Sequence, residues 1–131
     1  MPIIVGSLIY VLFRDSSLLV FVWLDAVGLT NLVESIRSNI TFQLHPIILH
    51  SLPDGLWTYS FAYVMYIVWS NHKTPIRHIF ISLAPFIGVS SEFGQLFGVV
   101  PGTFDIVDVF FYTLAGILVY TNLYFRERGI L

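Results

Sequence analysis

Ser90–Asp108 reads SSEFGQLFGVVPGTFDIVD. It joins two long apolar stretches, and it holds Glu92, Asp105 and Asp108, three of the eight acidic residues in the chain. Pro101–Gly102 fits the central positions of a type II turn, where Pro presets φ and Gly accepts a positive φ. Thr103 suits a helix cap, with Asp105 in the first turn behind it. The stretch therefore predicts the tip of a helical hairpin whose two arms are apolar enough for a bilayer.

Composition extends that reading to the whole chain. Hydrophobic residues make up 56% of the 131 positions and charged residues 11%, against roughly 25% charged in soluble domains. A soluble fold of this size could not cover its surface with so few charges, and the mean hydropathy of +0.83 agrees. The expected class is an all-α, polytopic integral membrane protein, with residues 1–131 forming one domain. The twelve Phe, seven Tyr and three Trp suit the aromatic belts where lipid meets water. A net charge of −2 without a basic run argues against nucleic acid as a partner. The absence of Cys removes disulfides, thiolate metal sites and Cys nucleophiles. No ligand spacing calls for a metal, and no cofactor is expected. The N-terminal MPIIVGSLIYVLF lacks a basic flank and a clear small-residue cleavage site, so it reads as a retained segment.

A helical span needs about 20 apolar residues. Three segments qualify: Leu52 to Trp69, Ile76 to Phe93 or Phe97, and Phe104 to Phe125. Pro53 suits a first helical turn, which puts Asp54 near the positive end of the helix dipole. Pro85 is expected to kink the second span. Upstream, Ile3–Phe13 is too short to cross alone. Ile3 to Leu24 reads as one broken or tilted span with Arg14 and Asp15 as a local pair. The alternative is two short segments that re-enter or lie on the surface. Thr30–Asn39 reads as a short amphipathic surface helix, with Leu32, Val33 and Ile36 on one side. The expectation is four helical segments in all.

Lys73, Arg77, Arg126 and Arg128, four of the six basic residues, fall in the loop and the tail that three spans place on one side. By the positive-inside rule that side is cytoplasmic. The opposite, outward side receives Asp54, Glu92, Asp105 and Asp108. Glu92 lies about 24 Å along its helix, at the outer boundary, and Gln95 shares its face. Asp108 lies about one turn deeper than Asp105, with Tyr112 below it. Asp54, Glu92, Gln95, Asp105, Asp108 and Tyr112 thus form a candidate pocket. Asp54 and Asp105 also fit simple helix-end anchors, and Glu92 and Asp108 fit either a functional site or a structural polar lock. Ser90, Gly94 and Gly98 make a small-xxx-small stripe that lets another helix approach.

The stretch from Leu52 to Tyr120 resembles the VanZ-like family of small bacterial membrane proteins. The resemblance rests on Glu92-Phe-Gly-Gln95, the VVPGTFD turn, Asp108 and Gly116, with Asp54 in LPDGLWTYSF matching an earlier family element. Thr103 stands where the family's turn has Arg, and Tyr112 where it has Asn. Gly55 and Thr58 replace a Lys and a His. The resemblance implies a four-helix fold in the bacterial cytoplasmic membrane and a role in envelope or antibiotic response, the family's name coming from teicoplanin resistance.

The expected function is binding of a cell-envelope ligand or a partner membrane protein at the acidic pocket. One alternative is a membrane enzyme on lipid-linked or envelope substrates, with Glu92 and Asp108 as acid and base, although no HExxH or GxSxG pattern is present. The other is a small oligomeric channel or transporter subunit assembled through the Ser90/Gly94/Gly98 stripe. Expected partners are the lipid bilayer and either a membrane protein or further copies of the chain.

Overall fold

The computed structural model describes residues 1–72 and 74–129. Lys73, one of the inner basic residues of the orientation argument, lies outside them. Six helices follow one another: α1 (Pro2–Phe13), α2 (Leu19–Ala26), α3 (Thr30–Ser38), α4 (Pro46–Trp69), α5 (Pro75–Leu96) and α6 (Ile106–Glu127). No strand occurs among the described residues. Helix α4 is the hub, packed against α1, α5 and α6, while α5 and α6 pack on each other.

The N-terminal region is broken, as one reading of the sequence expected, and the break falls at Arg14. The chain leaves α1 at Arg14 in extended conformation, with ψ 165. The Asp15 carboxylate accepts the Ser17 backbone N–H at 2.8 Å, a local bond that competes with helix. Two short helices, α1 and α2, result instead of one continuous helix from Ile3 to Leu24. Arg14 turns from Asp15 to His50, whose Nδ1 contacts the Arg14 Nη1. The amphipathic helix over Thr30–Ser38 is present as expected, with Val33 buried and Leu32 and Ile36 exposed.

Helix α4 starts at Pro46 rather than Leu52. His45 caps it, its Nδ1 accepting the Ile47 N–H at 3.3 Å. Pro53 therefore sits inside the helix and is buried, so Asp54 is not at a helix start. Helix α1 covers this proline bend. A Cβ at Gly6 would stand 3.0 Å from Trp57 Nε1 and 3.2 Å from the Pro53 carbonyl oxygen, and the Trp57 Nε1–H donates to Ser7 Oγ at 3.2 Å.

The core lies between α4, α5 and α6 and is built from Ala62, Tyr66, Ile81, Val119 and Leu123. Polar ties surround it. The Tyr120 hydroxyl meets Ser82 Oγ at 2.9 Å, and Asn122 Nδ2 donates to the Tyr59 hydroxyl at 3.1 Å.

Helices α5 and α6 are long and apolar enough to cross a membrane, yet only 17% of each apolar window is buried within the protein. The core helix of a soluble protein would show the reverse. Phe86, Ile79, Phe110 and Ile117 instead stand exposed. Helix α4 is as long, at 24 residues, but its tyrosines, tryptophans and Asp54 lower its hydropathy. It thus falls outside that pair, so among the described residues two helices, not the four expected segments, are long and apolar enough to cross.

Candidate functional site

The tip of the α5–α6 hairpin explains the opening stretch. Helix α5 ends in a glycine turn: Gly98 takes φ +69, and the Val99 N–H reaches the Gly94 carbonyl at 2.8 Å. This is the left-handed stop that glycine permits. A Cβ at Gly94 would stand 2.7 Å from Val100 Cγ2. Within the monomer, then, the Ser90/Gly94/Gly98 stripe packs no other helix. Ser90 is exposed, and the two glycines shape the turn. The close approaches between helices fall elsewhere, at Gly55 under Phe111 and at Gly88 under Tyr112.

Glu92, in the last turns of α5, is 3% exposed. Its Oε1 accepts from Gln95 Nε2 at 3.3 Å and its Oε2 from the Asp105 backbone N–H at 3.0 Å. Asp105 is the N-cap of α6, its Oδ1 accepting the Val107 N–H at 2.8 Å. The cap predicted at Thr103 therefore falls at Asp105, and the helix begins one residue later. Glu92, Gln95 and Asp105 form one bonded unit that closes the hairpin.

Asp54 and Tyr112 stand in different surroundings. They line an open cavity of about 420 Å³ together with Trp57, Thr58, Gly88 and Ser91. A Cβ at Gly88 would stand 2.7 Å from Tyr112 Cγ, so only glycine there lets the phenol ring lie against α5. Asp108, in the first turn of α6, has its Oδ1 buried without a hydrogen-bond partner. Buried polar atoms are satisfied in the great majority of cases, which makes this oxygen the exception of the site.

Charge links the two groups. The Asp54 carboxyl lies within Coulombic range of Asp108 and Glu92 as like charges, and of Arg14 as an opposite one. The Tyr112 phenol is within range of the same three acids. All six candidate residues thus lie in one neighbourhood at one end of the bundle. Three of them lock the hairpin, two line the cavity, and Asp108 carries the unmet acceptor. Such an arrangement can hold a donor-rich or cationic group, with Trp57 and Tyr112 supplying aromatic walls. Among the described residues, no three His, Asp or Glu side chains are grouped to hold a metal ion.

Sequence reasoning paired Arg14 with Asp15 but missed its grouping with Arg37 and His50, which line a second polar cavity with it beside the start of α4. Their separations in sequence carry no periodic signal, and only the packing of α1 and α3 near α4 brings them together. No family model, curated protein or solved structure matches this chain.

Proposed function

We propose that the chain is a VanZ-like integral protein of the bacterial cytoplasmic membrane. In this reading it is a single domain in which α4, α5 and α6 cross the bilayer and α1–α3 form a fourth, broken segment. At 1.5 Å per residue, α4 is about 36 Å long, enough for a hydrocarbon core of about 30 Å. Its Asp54 lines the open cavity between α4, α5 and α6. The C-terminus lies inside, and the acidic pocket faces outward.

The pocket binds a cationic or donor-bearing group, carried by an envelope ligand or by a partner membrane protein, as part of an envelope or antibiotic response. One observation carries this reading: the buried, unpartnered Oδ1 of Asp108, beside a cavity lined by Asp54 and Tyr112. A carboxylate oxygen left without a donor costs stability, and an incoming N–H or O–H group would offset that cost.

The test is expression in a teicoplanin-sensitive bacterium. The wild-type chain raises the inhibitory concentration, and Asp108→Asn and Asp54→Asn, present in the membrane at equal amounts, do not. Equal protection by wild type and both variants removes the pocket from the function. No protection by the wild type removes the antibiotic-response reading.

A further inference from the structure

Arg14 and Arg37 are the two basic residues of the chain outside the loop and tail assigned to the inner side. Both line one cavity of about 520 Å³, together with His50, Asp15, Phe13 and Leu18. The cavity lies where α1 ends, beside α2, α3 and the first turns of α4.

Each guanidinium is held by neutral groups. Arg37 donates from Nη1 to the Val11 carbonyl at 3.1 Å and from Nη2 to the Arg14 carbonyl at 2.8 Å. It thereby ties the free carbonyls at the C-terminus of α1, as a cation at that end of a helix dipole should. It also lies 4.9 Å from the centroid of the Phe21 ring. Arg14 meets His50 Nδ1 and lies 5.2 Å from the centroid of the Tyr10 ring. Among the described residues neither arginine forms a salt bridge, the one such pair being Arg77 with Glu127. Asp15 is the acid of the cavity wall. It is exposed and bonded to Ser17, whose N–H holds its carboxyl below the usual range. In the cavity wall two guanidinium charges therefore face one carboxylate that is bonded elsewhere, while Asp54, outside the wall, lies within Coulombic range of Arg14. Each guanidinium has five N–H donors in a planar fork, so both keep donors for an incoming group.

We infer that this cavity is a phosphate-binding site, occupied by the phosphate of an anionic headgroup. Arginine pairs suit that ligand because their forks match phosphate oxygens bidentately, and His50 can add its Nε2–H. The setting is that of a lipid surface, a point that rests on the membrane reading above. Helix α3, which carries Arg37, is amphipathic with exposed Leu32 and Ile36, as a helix lying in a bilayer interface is, and α2 exposes Leu19, Val22 and Trp23. The same chemistry would take a free phosphate, so the experiment separates the two sources.

The full chain is purified in detergent, stripped of lipid and titrated by native mass spectrometry. The probes are dioleoylphosphatidylglycerol and dioleoylglycerol, which share their tails and differ in the phosphate. In parallel, the melting temperature is read in inorganic phosphate and in chloride at matched ionic strength. The phosphatidylglycerol should bind about tenfold tighter than the diacylglycerol. Arg14→Gln should abolish that preference with helix content unchanged, and Arg128→Gln, in the exposed tail away from the cavity, should leave it intact. A phosphate-dependent rise in melting temperature that Arg14→Gln abolishes, without a lipid preference, assigns the site to a soluble phosphate. Equal binding of the two lipids with no phosphate shift overturns the inference. This comparison needs only the wild-type chain, so poor folding of Arg14→Gln cannot obscure it. A preference that survives in folded Arg14→Gln overturns it as well. Loss of the membrane reading would appear separately, as a chain that stays soluble without detergent.

Discussion

The backbone N–H of Asp105 donates to Glu92 Oε2 at 3.0 Å, so a carboxylate buried in α5 fixes the residue that caps α6. The contact links residues thirteen apart across the hairpin tip, and Gln95 completes it from the other oxygen. Glu92→Ala should leave both donors unmet and destabilise the fold by about 2–3 kcal/mol. Glu92→Gln keeps an acceptor for Asp105 but loses the charge, and should cost about 1 kcal/mol. Unfolding in a mixed-micelle SDS titration reads both. Equal stability of the three proteins would mean that the bond does not hold the hairpin.

Gly88 sets the position of Tyr112. A Cβ there would meet the ring at 2.7 Å, and the ring is backed by its own helix. Gly88→Ala should cost about 1–3 kcal/mol, as overpacking does. It should also move Tyr112 away from α5 and close part of the cavity. Tyr112→Leu in the same background should recover part of the loss. Two additive losses would show that the glycine acts elsewhere.

At the other end of the bundle, Arg77 Nη2 and Glu127 Oε1 are 2.6 Å apart, with side-chain exposures of 10% and 45%. A fully exposed pair contributes about 0–1 kcal/mol, whereas breaking a buried one costs about 3–5 kcal/mol. Because one partner is buried and the other half open to solvent, Glu127→Ala should cost about 1–2 kcal/mol. Thermal melting in detergent at low and high salt checks it. The loss should shrink only slightly in salt, since Arg77 stays shielded.

The chain has no cysteine, which makes its orientation directly readable. Asn71→Cys lies between α4 and α5, and Thr103→Cys at the hairpin tip, both at exposed positions. In intact cells an impermeant maleimide should label Thr103→Cys alone. Asn71→Cys should react only after permeabilisation. The reverse pattern would turn the acidic pocket to the cytoplasm, and labelling of both in intact cells would end the spanning assignment of α5.

The long helices were legible because their signal is local. Apolar length and the Pro101–Gly102 turn can be read within a few residues of the position concerned, whereas Gly98, expected in a packing stripe, proved to be the helix stop. Helix α6 accordingly begins at Ile106, two residues from the expected Phe104. The start of α4 was not legible. Pro53 by itself favours a helix start and costs a backbone hydrogen bond inside one, and its interior position is accompanied by close packing of Gly6 against Trp57 and the Pro53 carbonyl. The break between α1 and α2 is held by the Asp15–Ser17 bond and by Arg37, which takes the Val11 and Arg14 carbonyls from another helix. The candidate acids were legible as a group, since depth along a helix follows from counting residues. Their division into lock and cavity was not, because it depends on which N–H groups the turn brings to Glu92. The grouping of Arg14 with Arg37 and His50 escaped altogether, being made only by tertiary packing.

Asp108 offers the sharpest separation of lock from binding site. The Glu92 oxygens are both bonded, whereas Asp108 Oδ1 is buried and has no partner. A group kept for function rather than stability should improve the fold when it is removed. Asp108→Asn places a donor among the carboxylates of Asp54 and Glu92 and removes a like charge. It should therefore raise stability by about 1 kcal/mol, while Glu92→Gln lowers it. The two effects should add in the double variant if the residues act separately. Opposite signs in the same SDS titration assign Asp108 to the pocket and Glu92 to the hairpin. A loss at both positions would make Asp108 a second lock, met by a donor such as bound water, and would take the unmet acceptor away from the binding argument.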